Sequence, residues 1–255
     1  MARKNLMKER LRNGETLVGA FSTIHSPALV ELLGLLGMDF VIVDGEHSSL
    51  TPETAEQLYR AAELRNLACV TRIGENHPQV IQKFLESGAL NVMIPLVNSK
   101  EDAQRVVHAV KYPPLGKRGL AASRASDWGL LPGGLAEQVR VSNEETFIII
   151  QVETLDAVKN YHEVLSVEHV DLVFFGPSDL SSVLGVPGQT THPQVISLIE
   201  NLGQQALAVG KAVGTIARTG EEYRHWRERG FRWLCTGVNH LFANGVQSFL
   251  KSTKG

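Results

Sequence analysis

Short apolar runs alternate along this chain with longer segments that are apolar on one side only. The runs are Leu17 to Thr23, Asp39 to Val43, Ala68 to Ile73, Val92 to Val97, Phe147 to Val152, Val170 to Phe175, Ala212 to Ile216 and Trp233 to Gly237. They are rich in Val, Ile and Phe, which suits strands buried on both faces. Between them, Ser26-Pro27 and Thr51-Pro52-Glu53 read as helix starts, each an N-cap with proline at the first helical position. These helices run to about Leu36 and Arg65. Others are expected over Pro78 to Ser87, Ser99 to Val110, after the fifth run to about Leu165, and from near His192 to Val209. A polar helix leads the chain, and a last one ends near Leu250.

Eight strands alternating with helices predict an α/β fold, a closed parallel (β/α)8 barrel, as one domain over residues 1–255. An open doubly wound sheet is the alternative, disfavoured because no dinucleotide fingerprint follows the first strand. The rhythm breaks once, in YPPLGKRGLAASRASDWGLLPGG (Tyr112 to Gly134). A loop of that length in a compact domain is usually functional or an interaction segment.

Composition narrows the function classes. A net charge of −2 gives no basis for binding nucleic acid or an anionic membrane. Cys69 and Cys235 lie in apolar runs and read as buried free thiols in a reducing cytoplasm. MARKNLMKERLRNGE lacks the apolar core of a signal peptide. The greasiest stretch, Leu29 to Val43, is broken by Glu31 and Asp39 and is too short for a bilayer.

In a barrel of this kind, chemistry collects where strands end. The second strand ends in Asp44-Gly45-Glu46-His47, where His47 is a candidate general acid/base and a solvated turn is the plain alternative. The third ends at Arg72, suited to a developing oxyanion, or to a structural pair with Asp44 or Glu46. The fifth ends in Gln151-Val152-Glu153, with Gln151 and Glu153 on one face. A carboxylate there is costly unless paired or bound to metal. The sixth is stopped by Gly176-Pro177, and Ser178-Asp179 follow where a helix begins, an arrangement suited to an anion. Glu153 and Asp179 offer two hard oxygen ligands, which suits Mg²⁺ or Mn²⁺. No His/Cys cluster suggests zinc. The strands carry no Schiff-base lysine apart from Lys211 at one start, which argues against covalent-lysine chemistry.

FVIVDGEHS (Phe40 to Ser48), TRI (Thr71 to Ile73), YPPLGKRG (Tyr112 to Gly119), QVET (Gln151 to Thr154) and GPSDLS (Gly176 to Ser181) together resemble the HpcH/HpaI aldolase family of metal-dependent pyruvate aldolases. The resemblance covers nearly the whole chain, in order. It implies a (β/α)8 barrel, in a hexamer of paired barrels (a trimer of dimers) that exchange a C-terminal helix. It implies a divalent metal (Mg²⁺, Mn²⁺ or Co²⁺) on Glu153 and Asp179, Arg72 at the enolate oxygen, and His47 in proton transfer with Asp44 nearby. The stretch Gly176, Pro177, Ser178 and Asp179 would take the pyruvate carboxylate on the backbone N–H groups that it carries. The implied reaction is reversible cleavage of a 4-hydroxy-2-oxo acid to pyruvate and an aldehyde through a metal-stabilised enolate. The alternatives are oxaloacetate decarboxylation or a citrate-synthase-like condensation on the same enolate, and a non-catalytic barrel that binds a small anion. Two departures stand out. Glu86 occupies the place where relatives carry an aspartate supporting the histidine. The segment after YPPLGKRG is short, and in this break Arg118 and Arg124 are candidates for a distal acid group or for loop-stabilising bonds.

Overall fold

Each of the eight apolar runs forms a strand. The computed structural model describes residues 4–254, so residues 1–3 and 255 of the expected domain lie outside the described residues. The strands are β1 (Leu17–Ser22), β2 (Phe40–Asp44), β3 (Ala68–Arg72), β4 (Asn91–Ile94), β5 (Phe147–Val152), β6 (Leu172–Phe175), β7 (Ala212–Ile216) and β8 (Trp233–Gly237). They pair in sequence order, all parallel, and β8 closes on β1. The helices are α1 (Leu6–Arg12), α2 (Pro27–Leu35), α3 (Pro52–Glu63), α4 (Pro78–Ser87), α5 (Lys100–Val110), α6 (Gly134–Glu145), α7 (Leu155–Lys159), α8 (Tyr161–Leu165), α9 (Pro177–Val183), α10 (Pro193–Ala208), α11 (Gly220–Glu228) and α12 (Val238–Lys254). The fold is a (β/α)8 barrel.

Strand alternation divides the core in two. Val41, Val43, Val92, Ile148, Ile150, Val173 and Val213 face outward and pack on the helices. Leu17, Phe40, Ile42, Val70, Met93, Ile149, Leu172, Phe174, Trp233 and Cys235 fill the barrel. Phe40 and Trp233 stack at 4.1 Å between centroids, and Phe174 meets Trp233 edge-on at 5.7 Å. These rings need room. A Cβ on Gly19 would stand 2.3 Å from Phe40, and one on Gly214 2.8 Å from the Trp233 ring.

The first helix closes the amino-terminal end of the barrel. Met7 is buried in the interior cluster, and its Sδ accepts from Trp233 Nε1 at 3.4 Å. Asn5 Nδ2 donates to Asn91 Oδ1 and to the Glu145 carbonyl, while Lys8 Nζ pairs with Asp171 at 3.1 Å. The start of the chain is thus pinned to β4, α6 and the approach to β6.

Two helices depart from expectation. The long break holds a short 3-10 turn (Arg124–Gly129) and is followed directly by α6. The sequence reading assigned neither α6 nor α11. The reason is a thin apolar face: Gln138 is the buried residue of α6, and Trp226 that of α11. The break follows α5, which returns the chain to the amino-terminal end of the strands, so it lies away from the mouth where strands end.

Candidate active site at the carboxyl ends of the strands

Inward-facing positions that fill the barrel below become polar at its mouth. Following the same alternation upward leads from Ile42 to Asp44, from Val70 to Arg72, and from Ile149 to Gln151 and Glu153. A cavity of about 400 Å3 opens there, lined among others by Phe21, Asp44, His47, Arg72, Gln151, Gly176, Ser178 and Asp179.

Arg72 is the hub of one half. Its Nε and Nη2 donate to the two Asp44 oxygens at 2.9 and 2.6 Å, a bidentate pair. Nη1 lies 3.0 Å from Glu46 Oε2, and the guanidinium sits 4.8 Å above the Phe21 ring. Asp44 also accepts from the backbone N–H groups of Glu46 and His47. Burial alone would raise the Asp44 carboxyl, but Arg72 and these N–H groups outweigh it and hold it below its usual range. Burial likewise opposes the Arg72 charge, and Asp44, Glu46 and Glu153 more than restore it. The structural pairing of Arg72 with both carboxylates is therefore present. It also leaves the second hydrogens of Nη1 and Nη2 for a ligand.

His47 is mostly exposed at the rim, and its Nε2 lies 3.8 Å from Glu46 Oε2. Glu46 joins His47 to Arg72, and burial raises its carboxyl above the usual range. The sequence offers Glu46 only as a structural partner for Arg72 or as part of a charged turn, not as a link to His47. Its signal was present, since it lies two residues beyond Asp44 and so returns to the inner face.

The other half gathers two carboxylates over a glycine. A Cβ on Gly176 would stand 3.3 Å from each of Asp179 Oδ2, Glu153 Oε2 and Gln151 Nε2. The two carboxylate oxygens are thus within twice that distance of each other. Glu153 Oε1 accepts from the Leu96 N–H at 2.9 Å, and Oε2 accepts from Gln151 Nε2. Leu96 adopts a positive φ of 54°, which turns its amide to this task. Burial pushes the Glu153 carboxyl up to about 7, with the Asp179 and Glu46 charges adding to the rise. Crowded carboxylates over an open cradle fit a hard divalent cation. Among the described residues no group of three or more His, Cys, Asp or Glu has such geometry, so a cation on this pair would take its remaining ligands from water and substrate.

Three residues do not reach the mouth. Glu86 lies in the last turn of α4, which precedes β4 and therefore ends at the opposite face of the barrel. It accepts from Gln82 Nε2 at 2.7 Å, and within this chain it does not support His47. Arg118 is buried against the Tyr112 ring at 4.6 Å, with Nη1 on Ser142 Oγ. Arg124 pairs with Glu63 at 2.7 Å and reaches the Ser87 carbonyl. Both arginines stand at the amino-terminal end, because the break that carries them follows α5.

A family model described as HpcH/HpaI aldolase/citrate lyase matches residues 17–244. A 2-keto-3-deoxy-L-rhamnonate aldolase from Salmonella gallinarum is 37% identical over 98% of this chain and 93% of its own. The counterpart from Escherichia coli K12 is 35% identical over 93% of this chain and 88% of its own. Among solved structures, the HpcH/HpaI aldolase from Desulfitobacterium hafniense superposes with a TM-score of 0.87 at 33% identity, covering 96% of each chain. The citrate synthase SbnG superposes at 0.88 with 28% identity, covering 97% of each.

Proposed function

This chain belongs to the HpcH/HpaI aldolase/citrate lyase family, and from that premise we propose that it is an aldehyde-lyase that reversibly cleaves a 4-hydroxy-2-oxo acid to pyruvate and an aldehyde. Glu153 and Asp179 would hold a divalent cation (Mg²⁺, Mn²⁺ or Co²⁺), which would supply Lewis-acid polarisation of the 2-oxo group. Gln151 orients the acid end, and the amides that open α9, at Ser178 and Asp179 beyond Gly176-Pro177, take the carboxylate. His47, directly or through a water, removes the 4-hydroxyl proton. The C3–C4 electron pair passes to C3 as the aldehyde departs, and the resulting enolate oxygen faces Arg72. Asp44 and Glu46 fix the guanidinium before charge develops, so little reorganisation is needed. The proton held at His47 returns to C3 and gives pyruvate.

The observation that carries this reading is the convergence of Glu153, Asp179 and Gln151 over Gly176. Glu153→Gln tests it. Mn²⁺ binding by calorimetry and hydrogen–deuterium exchange at the pyruvate methyl should both fall at least about tenfold, the loss that removing even an outer-shell partner of a metal causes. A variant that binds Mn²⁺ and exchanges pyruvate like the native protein would overturn the assignment.

The likeness to a citrate synthase keeps a second electrophile in view: oxaloacetate turnover on the same enolate. Decarboxylation of oxaloacetate assayed beside aldol cleavage ranks the two. The assembly we infer is the family's hexamer, a trimer of dimers with α12 exchanged. The apolar and exposed Phe242, Val246 and Phe249 of α12 support it. No helix of the described residues is long and apolar enough to cross a membrane. The buried free thiols Cys69 and Cys235 support a cytoplasmic setting.

A further inference from the structure

His47 is placed by its backbone rather than by its ring. Its side chain is mostly exposed, and its ionic partner among the described residues, Glu46, stands 3.8 Å away. What aims it is the turn Asp44 to Ser48, which also carries Asp44 and Glu46. One side of that turn is fixed by β3. The Gly45 N–H donates to the Arg72 carbonyl at 2.8 Å, and a Cβ on Gly45 would stand 2.8 Å from the same oxygen. Asp44 Oδ1 closes the turn on itself by accepting from the Glu46 and His47 N–H groups at 3.0 and 3.3 Å.

The other side of the turn has no strand to hold it. The β1–β2 ladder ends at the Ser22–Val43 pair, one residue short of Asp44. Two side chains take over at the Asp44 carbonyl. Ser48 Oγ donates to it from the far end of the turn, and His25 Nε2 reaches it at 3.1 Å from the loop between β1 and α2. Nε2 also lies 3.1 Å from Ser48 Oγ. A carbonyl oxygen only accepts, so the hydrogen between it and His25 lies on Nε2. His25 is a donor here, and through that nitrogen it is no base. Its own backbone is held between two anchors. Ser22 Oγ bonds the Ile24 N–H and carbonyl on one side, and Ser26 caps α2 on the other. The described lining of the mouth cavity includes neither His25 nor Ser48, so they act on a substrate through the turn.

We propose that His25, assisted by Ser48, is a positioning residue for His47: by holding the Asp44 carbonyl it fixes the turn that presents the base to the substrate hydroxyl. This rests on the aldolase reading, in which His47 removes the 4-hydroxyl proton. A turn pinned along β3 alone is free to pivot about that edge. His47, three residues beyond Asp44 and bare at the rim, then carries a large share of the displacement. General-base catalysis needs hydrogen-bond reach to the proton it takes. A misplacement of about 1 Å can cost about 10²-fold.

The test separates the hydrogen bond from the ring that makes it. His25→Phe keeps a ring and removes the donor, whereas His25→Gln keeps an N–H near the place of Nε2. In the Mn²⁺-loaded protein, His25→Phe should lower kcat for cleavage of 4-hydroxy-2-oxopentanoate about 10²-fold with KM little changed. His25→Gln should restore most of it, and Ser48→Ala should fall between. Release of CO2 from oxaloacetate in a single turnover should fall far less in every variant. That bond breaks to the same enolate with no hydroxyl proton to remove. Without substrate, hydrogen exchange read by mass spectrometry should quicken over Asp44 to Ser48 in His25→Phe, and not over Gln151 to Glu153. In His25→Gln it should match the native protein. Ser48→Ala keeps the test decisive if His25→Phe fails to fold. Native kcat in the variants, native exchange over the turn, or equal losses of cleavage and CO2 release overturn the proposal. A native protein that releases CO2 and cleaves no hydroxy acid removes the aldolase reading, and exchange over the turn then decides whether His25 clamps it.

Discussion

Arg72 carries two duties, and they set opposite demands on any substitution. It faces the cavity where the proposed reaction forms the enolate oxygen, and it neutralises Asp44 and Glu46, both of them largely withdrawn from water. Removing it outright leaves two buried carboxylates unpaired, which costs about 3–5 kcal/mol for such a break. Arg72→Ala therefore confounds stability with catalysis. Arg72→Lys keeps a charge and loses the bidentate fork. It should lower aldol kcat about 10²- to 10³-fold, as for loss of a preorganised oxyanion donor, with a smaller fall in unfolding free energy than the alanine variant. A lysine variant with native kcat would place Arg72 in the scaffold only. Asp44 reports the same pair through pH. Its folded pKa lies below the usual 3.8, so its contribution to stability is complete above that value and is lost as pH falls through the folded one. The stability gap between the native protein and Asp44→Asn, measured by urea unfolding, should be constant near neutrality and narrow below about pH 4. A gap independent of pH would mean that the ion pair contributes nothing.

At the scale of elements, the strands and the capped helices were legible because local chemistry decides them. Ser26 Oγ accepts from the Leu29 N–H and Thr51 Oγ1 from the Thr54 N–H, as their placement before proline foretold. The carboxylates and Arg72 were found because a charge closing a run of Val and Ile has few other reasons to be there. What the sequence left open was direction. The resemblance gave Glu86, and the long break gave Arg118 and Arg124, a place in the chain but not an end of the barrel. Only the reversal of course by α4 and α5 shows which end holds them within this chain. The fit of small against large inside the barrel was equally hidden. Gly19→Ala would press a methyl group into both the ring and the carbonyl of Phe40. It should cost about 3 kcal/mol or more, toward the upper range for overpacking, and lower the thermal midpoint by several degrees. An unchanged midpoint would show that β1 and β2 can separate to admit it.

Over the whole molecule, α12 leaves a row of large apolar side chains in water. Phe242 is 73% exposed and Phe249 65%, and among the described side chains of this helix Val238 is the buried one. Singly exposed residues need no explanation, but a 17-residue helix this bare suits a partner surface. A Phe242→Asp, Phe249→Asp double variant should elute with a lower mass by light scattering than the native protein. The same mass in both would separate α12 from assembly. The closure at the other end of the barrel bears on how such a chain comes to be made. Met7 rests on Trp233, and β1 completes its pairing only against β8. A ribosome delivers the first of these partners more than two hundred residues before the second. Until the final strand emerges, the first one waits with an unpaired edge. Contacts this distant are slow to form, and such edges invite the wrong neighbour. Expression yield should therefore depend on what shields the nascent amino-terminal segment during that delay.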